Sequence, residues 1–402
     1  MEYIAALDLG SSKMIAMVAS KNDRQKILAR AQIESGDSFR RGLIYKTTEA
    51  SSKIAELIRR LKWELQQARL PALQQIYVGV GGQGLHTRAF VTEKSLNGDT
   101  VGDEMLDQLR DECHVDWNES FELIDKISPE YYLDGHLELQ PQGIQCNKLK
   151  ASFQMILGYF SNFKTEVEKA LRRESVEIVD IFVSPIATAK QVLTEQEKKR
   201  GCALIELGAG LTYLSIYKSG LLRHLIAIPL GGNVITKDIC SLDKTEAESE
   251  RLKISDGCAP TDDEANECHA AIKARADEIV TNILHQIEIS GYGQSLNAGF
   301  IFTGGASRLK GMDSLLEQRT DKSVRWVEEN PEQSCIRGLL KLGNENCSKE
   351  SASKWGIWND LFNNEKTEAP QPEKKRPKKN IVKGIKEKAN TVTNGVINGL
   401  FD

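Results

Sequence analysis

Ile4–Ala19 reads IAALDLGSSKMIAMVA, and 198 positions later Cys202–Tyr217 reads CALIELGAGLTYLSIY. Each stretch is an apolar strand, an acidic residue, a short Gly/Ser turn and a second apolar strand, which predicts a hairpin. The offset pairs Asp8 with Glu206, Gly10 with Gly208 and Ser12 with Gly210. Small turn residues let backbone N–H groups approach phosphate oxygens, and a neighbouring carboxylate can hold a hydrated divalent cation that bridges those oxygens. Two such hairpins facing one ligand would make a nucleotide clamp. The plainer alternative is a pair of ordinary hairpins with acidic residues near their turns; the repetition argues against it.

The chain around these hairpins has 402 residues, 40% of them hydrophobic, and a formal net charge of -4, so a soluble protein of two or three domains is expected. No apolar run of transmembrane length occurs, and the N-terminus starts with a strand rather than a basic and apolar leader, from which a cytoplasmic location is expected. The eight cysteines include no C-x-x-C pair, and the six histidines show no metal-ligand spacing.

Between the two hairpins, Lys26–Ser35 reads as a strand and Thr48–Leu70 as a helix, with Ile54, Leu57, Ile58, Leu61 and Leu65 on one face. Ile76–Val80 is a short buried strand. Gly79, Gly81 and Gly84 in GVGGQG match the dinucleotide fingerprint in form, with Asp99 and Asp103 at about the right distance. The following residues, HTRAFVTEK, are strand-like, whereas that fingerprint must open a helix, so the match is read as accidental. From Gly82 to Ser161 the texture changes to a helix at Asp103–Cys113, an irregular stretch around Pro129, Tyr131 and Tyr132, a turn-rich QPQGIQCNK and a strand at Leu149–Leu157. This predicts an inserted domain. A helix over residues 162–174, a strand at Val176–Val183 and a helix at Pro185–Leu193 then resume the α/β pattern.

After the second hairpin, Leu221–Pro229 reads as a third strand. Gly231-Gly232-Asn233 opens a helix whose unpaired first N–H groups would suit an anion. Helices follow at Thr245–Leu252 and Ala265–Ser290. In GFIFTGGASRLKG, Gly299–Gly311, the paired Gly304 and Gly305 would let a flat purine or ribose lie on the backbone, with Arg308 in reach of phosphate. Cys335–Leu342 is expected to close this part. From Asn344 the composition becomes polar, as in a flexible linker. Lys374–Lys388 holds eight Lys or Arg against one Glu. Overlapping it, Ile381, Ile385, Ala389, Val392, Val396 and Leu400 form a helical stripe widened by Val382, Ile397 and Phe401. With Lys383 and Lys386 on lipid headgroups, such a helix would lie in an anionic membrane surface; the stripe argues against nucleic acid. Trp355, Trp358, Leu361 and Phe362 form a second short apolar patch.

The order of these motifs resembles the actin and heat-shock-chaperone ATPase superfamily, and within it the FtsA family of bacterial actin-like cell division proteins. The stretches that carry the resemblance are DLGSSK at Asp8, YYLDG at Tyr131, PQGIQCNKL at Pro141, PLGGNVITKDI at Pro229, SERLK at Ser249 and TGGASRLKG at Thr303. The resemblance implies an α/β duplicated fold, two ribonuclease-H-like halves around a cleft for ATP and Mg2+. The halves would comprise 1–82 with 162–195 and 196–343, the family's α+β insertion would span 83–161, and a linker at 344–379 would lead to an amphipathic helix at 380–402. Asp8, Gly10, Ser11, Ser12 and Lys13 match the family's first phosphate segment, and Glu206, Gly208, Gly210 and Thr212 the second, with Asp8 and Glu206 toward the metal. Gly232, Asn233, Glu250 and Lys253 would face ribose and base from one side, and Gly304, Gly305 and Arg308 from the other. Family expectations also include self-assembly into filaments, binding of the FtsZ C-terminal peptide and of other division proteins, and a peripheral position on the cytoplasmic membrane face at the septum.

The sequence departs from the family where Glu206 stands in place of the usual Asp, and where Leu211-Thr212 replaces a run of Thr. The longer carboxylate arm and the want of a candidate general base predict nucleotide binding with little or no hydrolysis. Competing readings are a sugar or acetate kinase, an exopolyphosphatase, or a pilus-assembly actin-like protein.

Overall fold

The computed structural model describes residues 1–112, 121–259 and 266–349. The tail stripe, its lysines and the Trp355–Phe362 patch lie outside the described residues. The chain opens with β1 (Tyr3–Leu9), β2 (Lys13–Ser20) and β3 (Ile27–Glu34), followed by the short β4 (Phe39–Arg40) and β5 (Leu43–Ile44), α1 (Thr47–Gln67) and β6 (Gln75–Val80). The inserted stretch supplies β7 (His86–Ser95), α2 (Asp103–Asp111), β8 (Glu122–Leu133), β9 (His136–Glu138) and β10 (Lys148–Gly158). Then come α3 (Ser161–Arg173), β11 (Glu177–Val183), α4 (Ser184–Val192) and α5 (Glu195–Arg200). The second hairpin is β12 (Cys202–Leu207) and β13 (Thr212–Lys218), followed by β14 (Leu221–Ile228), α6 (Gly232–Cys240), α7 (Glu246–Asp256), α8 (Glu267–Ile289), β15 (Phe300–Thr303), α9 (Met312–Arg319), β16 (Val324–Trp326) and α10 (Ser334–Leu342).

The duplication extends from sequence into topology. One sheet runs β11-β6-β1-β2-β3, and the other contains β16-β15-β12-β13-β14 in the corresponding order. Asp8 lies opposite Ile15 and Glu206 opposite Tyr213, and adding 198 to both members of the first pair gives the second (8 + 198 = 206; 15 + 198 = 213). Both glycines that open the turns do so for one reason: a Cβ on Gly10 would stand 2.7 Å from the Lys13 carbonyl oxygen, and one on Gly208 would stand 3.0 Å from that of Leu211.

Two expectations are corrected. The residues around Pro129 are not irregular but belong to β8, where the β10 ladder steps from Ser152–Glu130 to Gln154–Ile127. Three steps on β8 against two on β10 make a bulge, the place in a strand where a proline's missing N–H costs least. The inserted stretch has a buried cluster of its own, with Leu106, Leu109, Leu149 and Phe153 in it, and its strands β7, β10, β8 and β9 extend the second sheet beyond β14. Finally, α10 does not close the second half. It crosses α4 so closely that a Cβ on Gly338 would lie 1.8 Å from the Ala187 carbonyl oxygen, and it packs against β1, β2 and β6 of the first sheet. The chain thus returns to its start, where the Tyr3 N–H donates to Asn346 Oδ1 at 3.2 Å and the Cys347 N–H to the Tyr3 carbonyl at 2.9 Å.

Candidate functional site

Apolar strands leave Asp8 and Glu206 only partly exposed near the ends of β1 and β12, and the Asp8 charge adds to the cost of ionising Glu206. Burial pushes Glu206 up to about 8, with the Thr188 hydroxyl opposing and the Asp8 charge adding to the rise. Asp8 is also raised by burial, against the opposing pull of Cys335 and Lys13. The Cys335 thiol, on α10, donates to Asp8 Oδ1 at 3.5 Å, and burial together with the two carboxyls keeps it neutral. Glu206 Oε2 and Thr188 Oγ1 are buried near one another, but neither has a hydrogen bond of good geometry. Unsatisfied buried polar atoms in a cleft mark a place where a water, an ion or a ligand completes the coordination. Among the described residues no set of three or more His, Cys, Asp or Glu side chains surrounds a metal position. The two carboxyls therefore suit a cation that keeps water and ligand oxygens in its shell, as Mg2+ does.

The turns beyond these carboxyls meet. A Cβ on Gly210 would lie 2.6 Å from Ser11 Oγ, and that hydroxyl also accepts from the Gly42 N–H at 3.0 Å. Ser12 is exposed, and its carbonyl accepts from the Ser35 N–H at 2.9 Å. Lys13 leads into β2; burial lowers its ammonium, while Glu332 and Asp8 favour the charge. Thr212 points away from the turn: its hydroxyl donates to the Leu230 carbonyl at 2.7 Å.

The first N–H groups of α6 are not free, contrary to expectation. Gly232 donates to the Gly208 carbonyl at 2.9 Å and Asn233 to that of Ala209 at 2.8 Å. The second turn itself caps the helix, which fixes α6 to the clamp. Around the cap, Lys253 Nζ donates to the Gly232 carbonyl at 3.3 Å, to Thr236 Oγ1 at 2.9 Å and to Glu250 Oε2 at 2.6 Å. A Cβ on Gly232 would come within 3.1 Å of the Ala306 Cβ, so the TGGAS turn closes on the same spot. Gly304, at φ +94, lies against the Leu207 backbone, while a Cβ on Gly305 would stand in ordinary contact with Glu332 Cβ at 3.6 Å. Arg308 is exposed and within 3.3 Å of Glu332.

Sequence reasoning missed Cys335, Thr188 and Tyr213. Tyr213 alone carried a signal, since the repeat pairs it with the core residue Ile15 and a polar-tipped ring there needs a partner. Its hydroxyl accepts from the Gly82 N–H at 2.6 Å. The dinucleotide-like glycines are explained by packing: a Cβ on Gly81 would strike the Tyr213 hydroxyl at 2.4 Å, one on Gly79 the Ser184 hydroxyl at 2.8 Å, and β7 follows where the fingerprint needs a helix.

Residues 203–339 match the family model described as Cell division protein FtsA. The Cell division protein FtsA of Porphyromonas gingivalis is 29% identical over 351 residues, covering 80% of this chain and 72% of its own length. That of Neisseria meningitidis is 28% identical over 350 residues, covering 80% of this chain and 83% of its own length. The chain is thus similar to FtsA cell division proteins along most of its length. The fold is shared more widely. The PilM–PilN type IV pilus biogenesis complex matches at a TM-score of 0.59 with 16% identity, over 85% of this chain and 98% of the other. MreB 5 of Spiroplasma citri bound to AMPPNP matches at 0.50 with 12% identity, over 84% and 95%. The chain thus has the actin-like ATPase fold, with the insertion on the edge of its second sheet.

Proposed function

We propose that this chain is an actin-like, ATP-binding cell division protein that tethers FtsZ filaments to the cytoplasmic face of the membrane at the septum and assembles with itself into filaments. The observation that carries the reading is the pair of carboxyl hairpins, Asp8 and Glu206, facing one another in a chain similar to FtsA proteins. The solved actin-like relative bound to AMPPNP supports ATP as the ligand. The residues assigned to phosphate are those of the two turns, Gly10–Lys13 and Gly208–Thr212, with Gly232, Asn233, Glu250 and Lys253 on one side of the nucleoside and Gly304, Gly305 and Arg308 on the other. Mg2+ would be held at Asp8 and Glu206, where it neutralises the phosphate charge.

Hydrolysis is weak or absent in this account. The groups that interact with Glu206 include a threonine hydroxyl, a neutral thiol, the Tyr213 phenol and a second carboxyl that is itself held toward its neutral form, so none is a ready base for an attacking water. ATP then sets the arrangement of the halves in an assembling subunit.

Membrane attachment rests on the basic, striped segment 380–402. Among the described residues no helix is long and apolar enough to cross a membrane. The pilus-assembly reading has a fold match at 16% identity, which speaks to fold alone, whereas the FtsA relatives match at 28–29% along most of the chain. The test is capture by an immobilised FtsZ C-terminal peptide together with co-sedimentation on anionic vesicles. The full chain is expected to do both and a chain lacking residues 344–402 only the first. Failure to bind the peptide would overturn the division role, and failure of the full chain to sediment would overturn the tether.

A further inference from the structure

The insertion leaves and rejoins the chain in the first half, yet its hydrogen bonds tie it to the second. His86 of β7 pairs with Ile226 of β14, the Ala227 N–H donates to the Leu85 carbonyl at 2.8 Å, and the Leu225 N–H donates to Thr87 Oγ1 at 2.9 Å. Beside this seam Arg223 of β14 and Glu130 of β8 form an ion pair at 2.5 Å, with side chains only 4% and 14% exposed. Removing one partner of such a pair strands a buried charge, so the pair holds the two strands together. Toward the first half the ties lie at the two crossings, where the Gln83 N–H donates to the Arg41 carbonyl at 2.8 Å and the Ser161 N–H to Glu122 Oε2 at 3.0 Å, while Asp125 of β8 is raised first by burial and further by Asp180 of β11, a like charge. Of the two connections there, the return from β10 to α3 is the short stretch between Gly158 and Ser161, and the outgoing one runs through Gly82 at φ +125 and Gly84 at φ +90, a backbone region open mainly to glycine and suited to absorbing rotation.

The hinge also touches the clamp. The Gly82 N–H donates to the hydroxyl of Tyr213, the residue directly opposite Glu206 on the second hairpin.

We propose that the insertion moves as one body with the second half, hinging at Gly82–Gly84, so that its orientation on the first half follows the separation of the two halves. Tyr213 carries the position of the second hairpin to the hinge, and Arg223–Glu130 keeps the insertion from lagging behind. The proposal stands apart from the nucleotide assignment, because it concerns which half the insertion follows whatever drives the movement.

The test measures electron-spin distances in the full chain, with labels carried on genetically encoded residues at three exposed positions: His136 in the insertion, Gln67 in the first half and Lys244 in the second. In ligand-free protein the 136–244 distribution is expected to be narrow, and the 136–67 distribution as broad as the 67–244 distribution. Glu130→Gln should broaden 136–244, and the exchanged pair Arg223→Glu with Glu130→Arg should narrow it again, which separates loss of the seam from loss of the fold. A narrow 136–67 distribution with 136–244 following 67–244 would overturn the proposal. So would three equally narrow distributions, or a 136–244 distribution indifferent to Glu130→Gln.

Discussion

Ser11 and Gly210 touch across the two halves: the space where a Gly210 side chain would begin lies 2.6 Å from Ser11 Oγ and 2.8 Å from Ser11 Cβ. The turns are thus in contact at a point where the repeated sequence offers no bulk. Gly210→Ala is expected to force them apart and weaken ATP binding roughly tenfold, or about 1.4 kcal/mol. Combining it with Ser11→Gly should restore most of the affinity by returning the space. Equilibrium binding of a fluorescent ATP analogue checks both, and an unchanged affinity in Gly210→Ala would remove this contact from the site.

Glu206 makes the ligand-free protein pH-sensitive. Its carboxyl, ordinarily near 4.5, is pushed up to about 8 in the folded chain, so the folded state keeps a proton that the unfolded state has released. Stability should therefore fall as pH rises from about 5 to about 8, by on the order of 3 kcal/mol, and level off above. Glu206→Gln should abolish most of that slope and be the more stable protein at the upper end. Denaturant titrations at stepped pH in the absence of nucleotide measure this.

Gly338 has no room for a methyl group. Its Cβ position lies 1.8 Å from the Ala187 carbonyl oxygen, a backbone atom that cannot swing aside. Gly338→Ala should cost about 3 kcal/mol or more by separating α10 from α4. The midpoint of chemical unfolding reads it directly, and a shift worth less than about 1 kcal/mol would mean that the two helices can slide.

Lys253 joins Gly232, Thr236 and Glu250 in one buried network. Lys253→Met keeps the length of the side chain but removes the ammonium, leaving only the Thr236 hydroxyl to donate to Glu250 or Gly232, with an expected loss of about 1–3 kcal/mol and weaker ATP binding, because the α6 cap loses part of its support. Thermal unfolding and analogue binding should change together.

The duplication was legible because it is a local pattern stated twice: a strand, an acid, a small turn and a strand, at Asp8 and again at Glu206. Strand and helix positions followed from period and punctuation, as for α1 and β7. The features that escaped are long-range. Cys335 reaches Asp8 over 327 positions, and Arg223 reaches Glu130 across a sheet edge that no short-range pattern announces. The Pro129 bulge looked irregular because a proline in a strand reads as a break unless the partner strand is known. The α6 N-terminus looked open because the carbonyls that cap it, from Gly208 and Ala209, lie in a turn some two dozen residues earlier.

Titration calorimetry of the full chain with ATP and Mg2+ bears most directly on the clamp formed by the two hairpins. One saturable site is expected in the native protein, with binding lost in both Asp8→Ala and Glu206→Ala while each variant remains folded by circular dichroism. Absence of heat in the native chain, or binding that survives both substitutions, would contradict the account.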